Sequence, residues 1–288
     1  MGDAMTGANL VFLVGSPRSG TTFLQRLLAA HPRIRTGQES NLFQYVGPML
    51  QRWRAEAEFP DARGGVGLGC YFLEERFTAL VREFLDKLLA PMLAGLEPGM
   101  LFLEKTPHHA LFIPEILTML PAARFIHILR DPRDVAASML AASRSWGKAW
   151  APGTAGRAAR TWCQYVQAVL DAKDRMPPEQ FTEVRYEELV EAAAPILRDL
   201  AAFLKLPWDD EAIAQAVRAN SVEATRHGEG TVIPKGGEFA RKSGGVVREP
   251  EGFVRSGSAG GWRRDLRWLD QWRVRRVAGE LMQRVGYR

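Results

Sequence analysis

Apolar positions along the chain fall into two alternating patterns. Four stretches are short and strand-like: Val11-Phe12-Leu13-Val14, Leu101-Phe102-Leu103, Arg124–Leu129 (RFIHIL) and Phe181-Thr182-Glu183-Val184. Short apolar runs of this kind predict strands buried on both faces. Between them the spacing turns helical, over Phe23–Leu28, within residues 44 to 100, over Ile113–Leu120, after Asp134 and over Ala158–Asp174. In the longest of these, Tyr71 to Leu93, apolar residues recur at Phe72, Leu73, Phe77, Leu80, Val81, Phe84, Leu85 and Leu88. Further helices are predicted over Glu191–Leu204, Asp210–Ala219 and Trp262–Tyr287, the last with Leu266, Leu269, Val277, Leu281 and Val285 on one buried stripe. Strands alternating with helices imply βαβ units and a parallel sheet.

Each strand ends in a polar segment. The first runs into Gly15-Ser16-Pro17-Arg18-Ser19-Gly20-Thr21-Thr22. A strand that turns through Gly and Ser into a helix gathers unpaired N–H groups and the positive helix end at one point, which makes an anion site. The second delivers Glu104-Lys105-Thr106-Pro107-His108-His109, the third Arg130-Asp131-Pro132-Arg133-Asp134, and the fourth Arg185-Tyr186-Glu187-Glu188. Open α/β sheets bind ligands at these carboxyl ends. His127 sits mid-strand and is read as a packing histidine, and Gly64–Gly69 as a loop. Thr225 to Gly261 is dense in Gly, Lys and Arg without periodicity, as in a lid over a site. With no internal repeat and no linker, residues 1–288 are expected to form a single domain.

Composition narrows the partners. A net charge of +5 over 288 residues fits a pocket for a polyanion. No dense Lys/Arg run with interleaved aromatics precedes the terminal helix, whose arginines are read as a solvated face, so no nucleic-acid partner is expected. Cys70 and Cys163 have neither metal-ligand spacing nor a disulfide framework. No run of 18 apolar residues and no signal peptide is found, so the expected protein is soluble and cytoplasmic.

The Gly15–Thr22 loop is not a Walker A motif, because no G-x-x-x-x-G-K-[ST] passes through it. The second strand ends in Lys105 instead of a carboxylate for magnesium, so charge is supplied by Arg18, Lys105 and Arg130 and no metal is expected. In four pieces the chain resembles sulfotransferases that use 3′-phosphoadenosine-5′-phosphosulfate (PAPS), of the bacterial type related to tyrosylprotein and carbohydrate sulfotransferases. Gly15–Thr22 is similar to the family's 5′-phosphosulfate loop, and Arg130 with Ser138 to its 3′-phosphate motif. Arg255-Ser256-Gly257-Ser258-Ala259-Gly260-Gly261-Trp262 resembles a second 3′-phosphate loop, and Val184–Leu189 the segment whose tyrosine, here Tyr186, lies by the adenine.

The resemblance implies an α/β, P-loop-like three-layer fold with a central parallel β-sheet flanked by helices. It implies in-line transfer of a sulfuryl group to an acceptor hydroxyl or amine of a small molecule, lipid or glycan, with PAP as the product. Ser19, Gly20, Thr21 and Thr22 would hold the 5′-phosphate, and Arg130, Ser138, Arg255, Ser256 and Gly257 the 3′-phosphate, with Arg18 and Lys105 as cations at the transferring group. Two residues compete for the base: Glu39, after the first helix, and His109, four positions beyond Lys105. A metal-dependent P-loop kinase and a non-catalytic anion- or glycan-binding module on the same fold are the competing readings.

Overall fold

A computed structural model describes residues 6–57, 67–221 and 257–288. Arg255, Ser256 and the expected lid up to residue 256 lie outside the described residues. The described chain runs β1 (Leu10–Val14), α1 (Thr21–Ala29), β2 (Ile34–Thr36), α2 (Leu42–Ala57), α3 (Glu74–Leu93), β3 (Leu101–Lys105), a 3₁₀ segment (Pro107–Phe112) and α4 (Ile113–Met119). It continues through β4 (Arg124–Leu129), α5 (Pro132–Ser143), α6 (Ala155–Lys173), β5 (Phe181–Arg185), α7 (Tyr186–Glu191), α8 (Ala193–Leu204) and α9 (Asp210–Ala219), then α10 (Trp262–Asp265) and α11 (Trp268–Arg284).

The strands form one parallel sheet in the order β2-β3-β1-β4-β5. The fold is α/β, with helices on both faces of the sheet. Period-two alternation explains why β1 is apolar throughout. Leu10, Phe12 and Val14 join a core with α2, α3, α4 and α6, while Val11 and Leu13 join one with α1, α7, α8 and α9. A third cluster packs Trp162 of α6 against α5, Trp262 and the inner face of α11. Leu13 pairs with Lys105, Val14 with His127 and Leu129 with Arg185. This register brings the loop after β1, Lys105, Arg130 and Tyr186 to one edge of the sheet. β1 lies where strand order reverses, which is where such sheets bind ligands.

Two expectations are corrected. β2 is an addition to the four predicted strands: Ile34-Arg35-Thr36 is three residues long with a single apolar side chain, too short to show a period. On α11 the buried face runs through Asp270, Val274, Ala278, Leu281 and Met282, and Leu269, one residue out of phase, is exposed. Asp270 takes its inward place because Arg273 bonds its carboxylate at 2.9 Å. His127 is fully buried, with Nδ1 2.8 Å from Glu183 Oε2 across the β4–β5 pair.

Phe12 is the hub of the sheet's larger core, stacked 5.5 Å from Phe125 and edge-on to Phe43 and His109. Phe12→Ala leaves a cavity beneath the site and is expected to cost about 3–5 kcal/mol, read from the urea-unfolding midpoint.

Candidate functional site

The loop after β1 is shaped around an anion. Gly20 opens α1 with φ +103°, and a Cβ there would overlap the Tyr186 ring. No side chain caps α1 and its first turn carries no acidic residue. Its N–H groups thus keep their positive end for something else. The Ser19 hydroxyl is buried with no hydrogen-bond partner. Arg18 adopts φ +72°, unusual for a residue with a Cβ. Its Nε donates to Ser138 Oγ at 3.0 Å, and its guanidinium lies 5.1 Å from the centre of the Trp146 ring. Ser138, expected to share the 3′-phosphate with Arg130, thus also bonds Arg18.

Arg130, at the end of β4, is buried. Its Nη1 donates to the Arg18 carbonyl and its Nη2 to the Ser258 carbonyl, both at 3.2 Å. The guanidinium lies 3.9 Å from the centre of the Tyr186 ring. Nε has no partner, leaving one buried donor available. Four residues on, the fully buried Asp134 accepts from the backbone N–H groups of Gly260 (2.7 Å) and Trp262 (2.8 Å). That carboxylate fixes the end of the glycine-rich 257–261 segment beside Arg130. Gly257 itself, with φ +63°, is half-buried there.

Lys105 Nζ bonds Glu39 Oε1 at 2.5 Å, with the lysine buried and the carboxylate nearly half exposed. Glu39 owes its position to a second carboxylate below it. The buried Glu104 Oε1 accepts from the Ser40 hydroxyl (2.6 Å), the Ser40 backbone N–H (3.2 Å) and the Thr106 hydroxyl (2.9 Å). Thr106 Oγ1 in turn accepts from the backbone N–H of Asn41, which holds φ +52°. His109 completes the lattice. The Phe43 N–H donates to its Nε2 at 3.2 Å, so the ring proton sits on Nδ1, 2.8 Å from Glu104 Oε2. Burial alone would raise Glu104; the adjoining His109, and hydrogen bonds from His109, Ser40 and Thr106, outweigh it and hold the carboxyl at about 2.

His109 is one of the two candidate bases. Its ring is fully buried, with Nε2 accepting from the Phe43 N–H and Nδ1 2.8 Å from Glu104 Oε2, so it presents no open face toward the cavity. Its neighbour His108 has one. A cavity of about 680 Å³ opens beside the loop, and His108 lines it together with Arg18, Glu39, Trp146, Trp150 and Tyr165. Burial keeps His108 below the ordinary histidine range, the Glu39 charge opposing and His109 adding to it. The sequence pattern does not point to His108, Tyr165 or Asp134. The adjacent histidines after Lys105 carry a signal, but the 3₁₀ turn that decides which one faces inward does not show in it. Among the described residues, no group of three or more His, Cys, Asp or Glu side chains is placed to hold a metal ion, and no helix is long and apolar enough to cross a membrane.

Comparison with known proteins adds a family. The sulfotransferase family model matches residues 10–210. Protein-tyrosine sulfotransferase 1 of Danio rerio is 29% identical over 206 residues, covering 70% of this chain and 54% of that protein. Protein-tyrosine sulfotransferase A of Caenorhabditis elegans is 24% identical over 208 residues, covering 70% and 51%. The chain spans about half the length of these two relatives. A mouse sulfotransferase solved with PAP superposes with a TM-score of 0.60 at 16% identity, covering 98% of this chain and 90% of that one. The sulfotransferase domain from the curacin biosynthetic pathway gives 0.56 at 18% identity, covering 96% and 97%. At such identities the likeness is one of fold.

The Glu104 lattice has a pH signature. A carboxyl held at about 2 against an ordinary 4.5 contributes stability that is present above pH 4.5 and lost as pH falls toward 2. Glu104→Gln is expected to lower stability at neutral pH and to approach wild type between those values, read from urea unfolding at a series of pH.

Proposed function

The chain belongs to the sulfotransferase family, and we propose that it moves a sulfuryl group from PAPS to a hydroxyl or amine of a small-molecule, lipid or glycan acceptor in the cavity. The observation that carries this reading is the Lys105–Glu39 pair, a cation and a base joined at 2.5 Å on the wall of a cavity that Arg18 also lines. The nucleotide is supported by the buried donors without partners. Ser19 Oγ, Arg130 Nε and the uncapped start of α1 all wait for acceptors, as two separate anionic groups on one molecule would supply. We assign the 5′ end to Arg18, Ser19, Gly20, Thr21 and Thr22, and the 3′-phosphate to Arg130 with Gly257. Arg255 and Ser256, outside the described residues, are retained in that assignment, and Ser138 acts through Arg18.

PAPS supplies the activated sulfuryl group. Everything else falls to side chains of this chain. Glu39 Oε1 is held by Lys105, which leaves Oε2 to take the acceptor proton. Lys105 and Arg18 place positive charge where negative charge grows during transfer. Glu104 and His109 keep the Glu39–Phe43 backbone fixed, so the base does not have to be ordered at each turnover.

Glu39→Gln is expected to reduce single-turnover transfer from labelled PAPS by about 10² to 10⁴-fold while the calorimetric affinity for PAP stays near wild type. Wild-type turnover in that variant would exclude Glu39 as the base.

Arg130→Ala is expected to weaken PAP binding in calorimetry and to abolish the rise in melting temperature that PAP produces. In the wild type, a larger rise with ATP and magnesium than with PAP would return the site to the kinases.

A further inference from the structure

We propose that the outer face of α11, with the turn before it, is a docking surface for membranes carrying anionic phospholipid. Three large apolar side chains stand out of this helix where none is needed for packing: Trp268 is 73% exposed, Leu269 42% and Trp272 51%. They fall at i, i+1 and i+4, hence on one side of the helix, opposite Val274, Ala278 and Leu281. Around them positive charge predominates, with Arg264 paired to Asp265, and Arg267 and Arg273 to Asp270. Residues 263–276 hold six arginines against Asp265 and Asp270, a net of +4 in a chain whose total is +5. Asp270 is buried beneath the face and the exposed Asp265 is paired with Arg264, so what the surface mainly presents is tryptophan, leucine and guanidinium.

The chemistry matches one kind of partner. Tryptophan and leucine insert at the boundary between acyl chains and headgroups, while flanking arginines meet phosphate. A groove of about 430 Å³ beside the tryptophans fits a single headgroup: it is lined by Arg160, Arg273, Arg276, Thr154 and Trp272. Arg276 already rests 5.3 Å from the centre of the Trp272 ring, joining the apolar and cationic parts. Leu269 distinguishes this surface from a nucleic-acid platform, since an aliphatic side chain beside Trp268 offers a base neither stacking nor a hydrogen bond. The surface also adjoins the catalytic cavity in the chain: Pro152 lines the cavity, and Thr154, two residues later, lines the groove. An acceptor dissolved in the membrane would be concentrated at that wall. The docking surface itself does not depend on the reaction assigned above.

The test is cosedimentation of the full chain with phosphatidylcholine vesicles, with and without phosphatidylglycerol. Binding is expected only with the anionic lipid and is expected to weaken as salt rises. Trp268→Ser with Trp272→Ser should reduce partitioning about tenfold or more. Arg160→Gln and Arg276→Gln should each reduce it about fivefold. All four substitutions lie on exposed positions, and unchanged thermal melting by circular dichroism confirms that the variants are folded. Equal binding to both vesicle types, no sedimentation, or tryptophan variants that sediment like wild type each overturn the proposal. So does binding of single-stranded RNA without vesicle binding, or a dimer in ultracentrifugation that the tryptophan variants abolish.

Discussion

The Arg130 side chain holds together segments that are far apart in the sequence. Its guanidinium bonds the carbonyls of Arg18 and Ser258 and packs on Tyr186, while its own carbonyl accepts from the Trp162 indole at 2.9 Å. The loop after β1, the first turn of α7, helix α6 and the 257–261 segment thus meet on one buried cation. A buried charge needs such partners, because desolvation is otherwise costly. None of those partners is a carboxylate. Two carbonyls and an aromatic face orient the guanidinium without neutralising it, which preserves its attraction for an anion from solution.

On the opposite side of β1 the sign reverses. There the buried charge is the Glu104 carboxylate, satisfied by hydroxyls, a backbone N–H and the adjoining His109. The cation binds and the anion positions. Each sits at the carboxyl end of a strand that neighbours β1, so the parallel register is what sets them on either side of the Gly15–Thr22 loop.

Much of this is legible in the chain. β1 and β4 are near-continuous apolar runs, and the residues just beyond them, Arg18 and Arg130, can be placed at one sheet edge from alternation alone. β2 cannot, because three residues carry no period. His109 and His108 are indistinguishable in sequence; their difference lies in a 3₁₀ turn that directs one ring into the core and the other into the cavity. The hydrogen bond from Arg18 to Ser138 joins residues 120 positions apart, a contact that one-dimensional spacing does not show. The outward Trp268, Leu269 and Trp272 are hidden for a similar reason. Helical periodicity reads an apolar residue as inward, and only the packing of α11 against α5 and α6 shows which face is left over.

Among the described residues three non-glycines have left-handed backbones, Arg18, Asn41 and Lys205, and the first two border the cavity. Such a conformation costs about 1–2 kcal/mol for most residues with a Cβ, and less for asparagine, which adopts it more readily. Two of them together are a visible fraction of the 5–15 kcal/mol or so by which a folded domain usually survives. With an arginine and an asparagine in that conformation at the cavity wall, the least relaxed backbone lies where the chemistry is assigned.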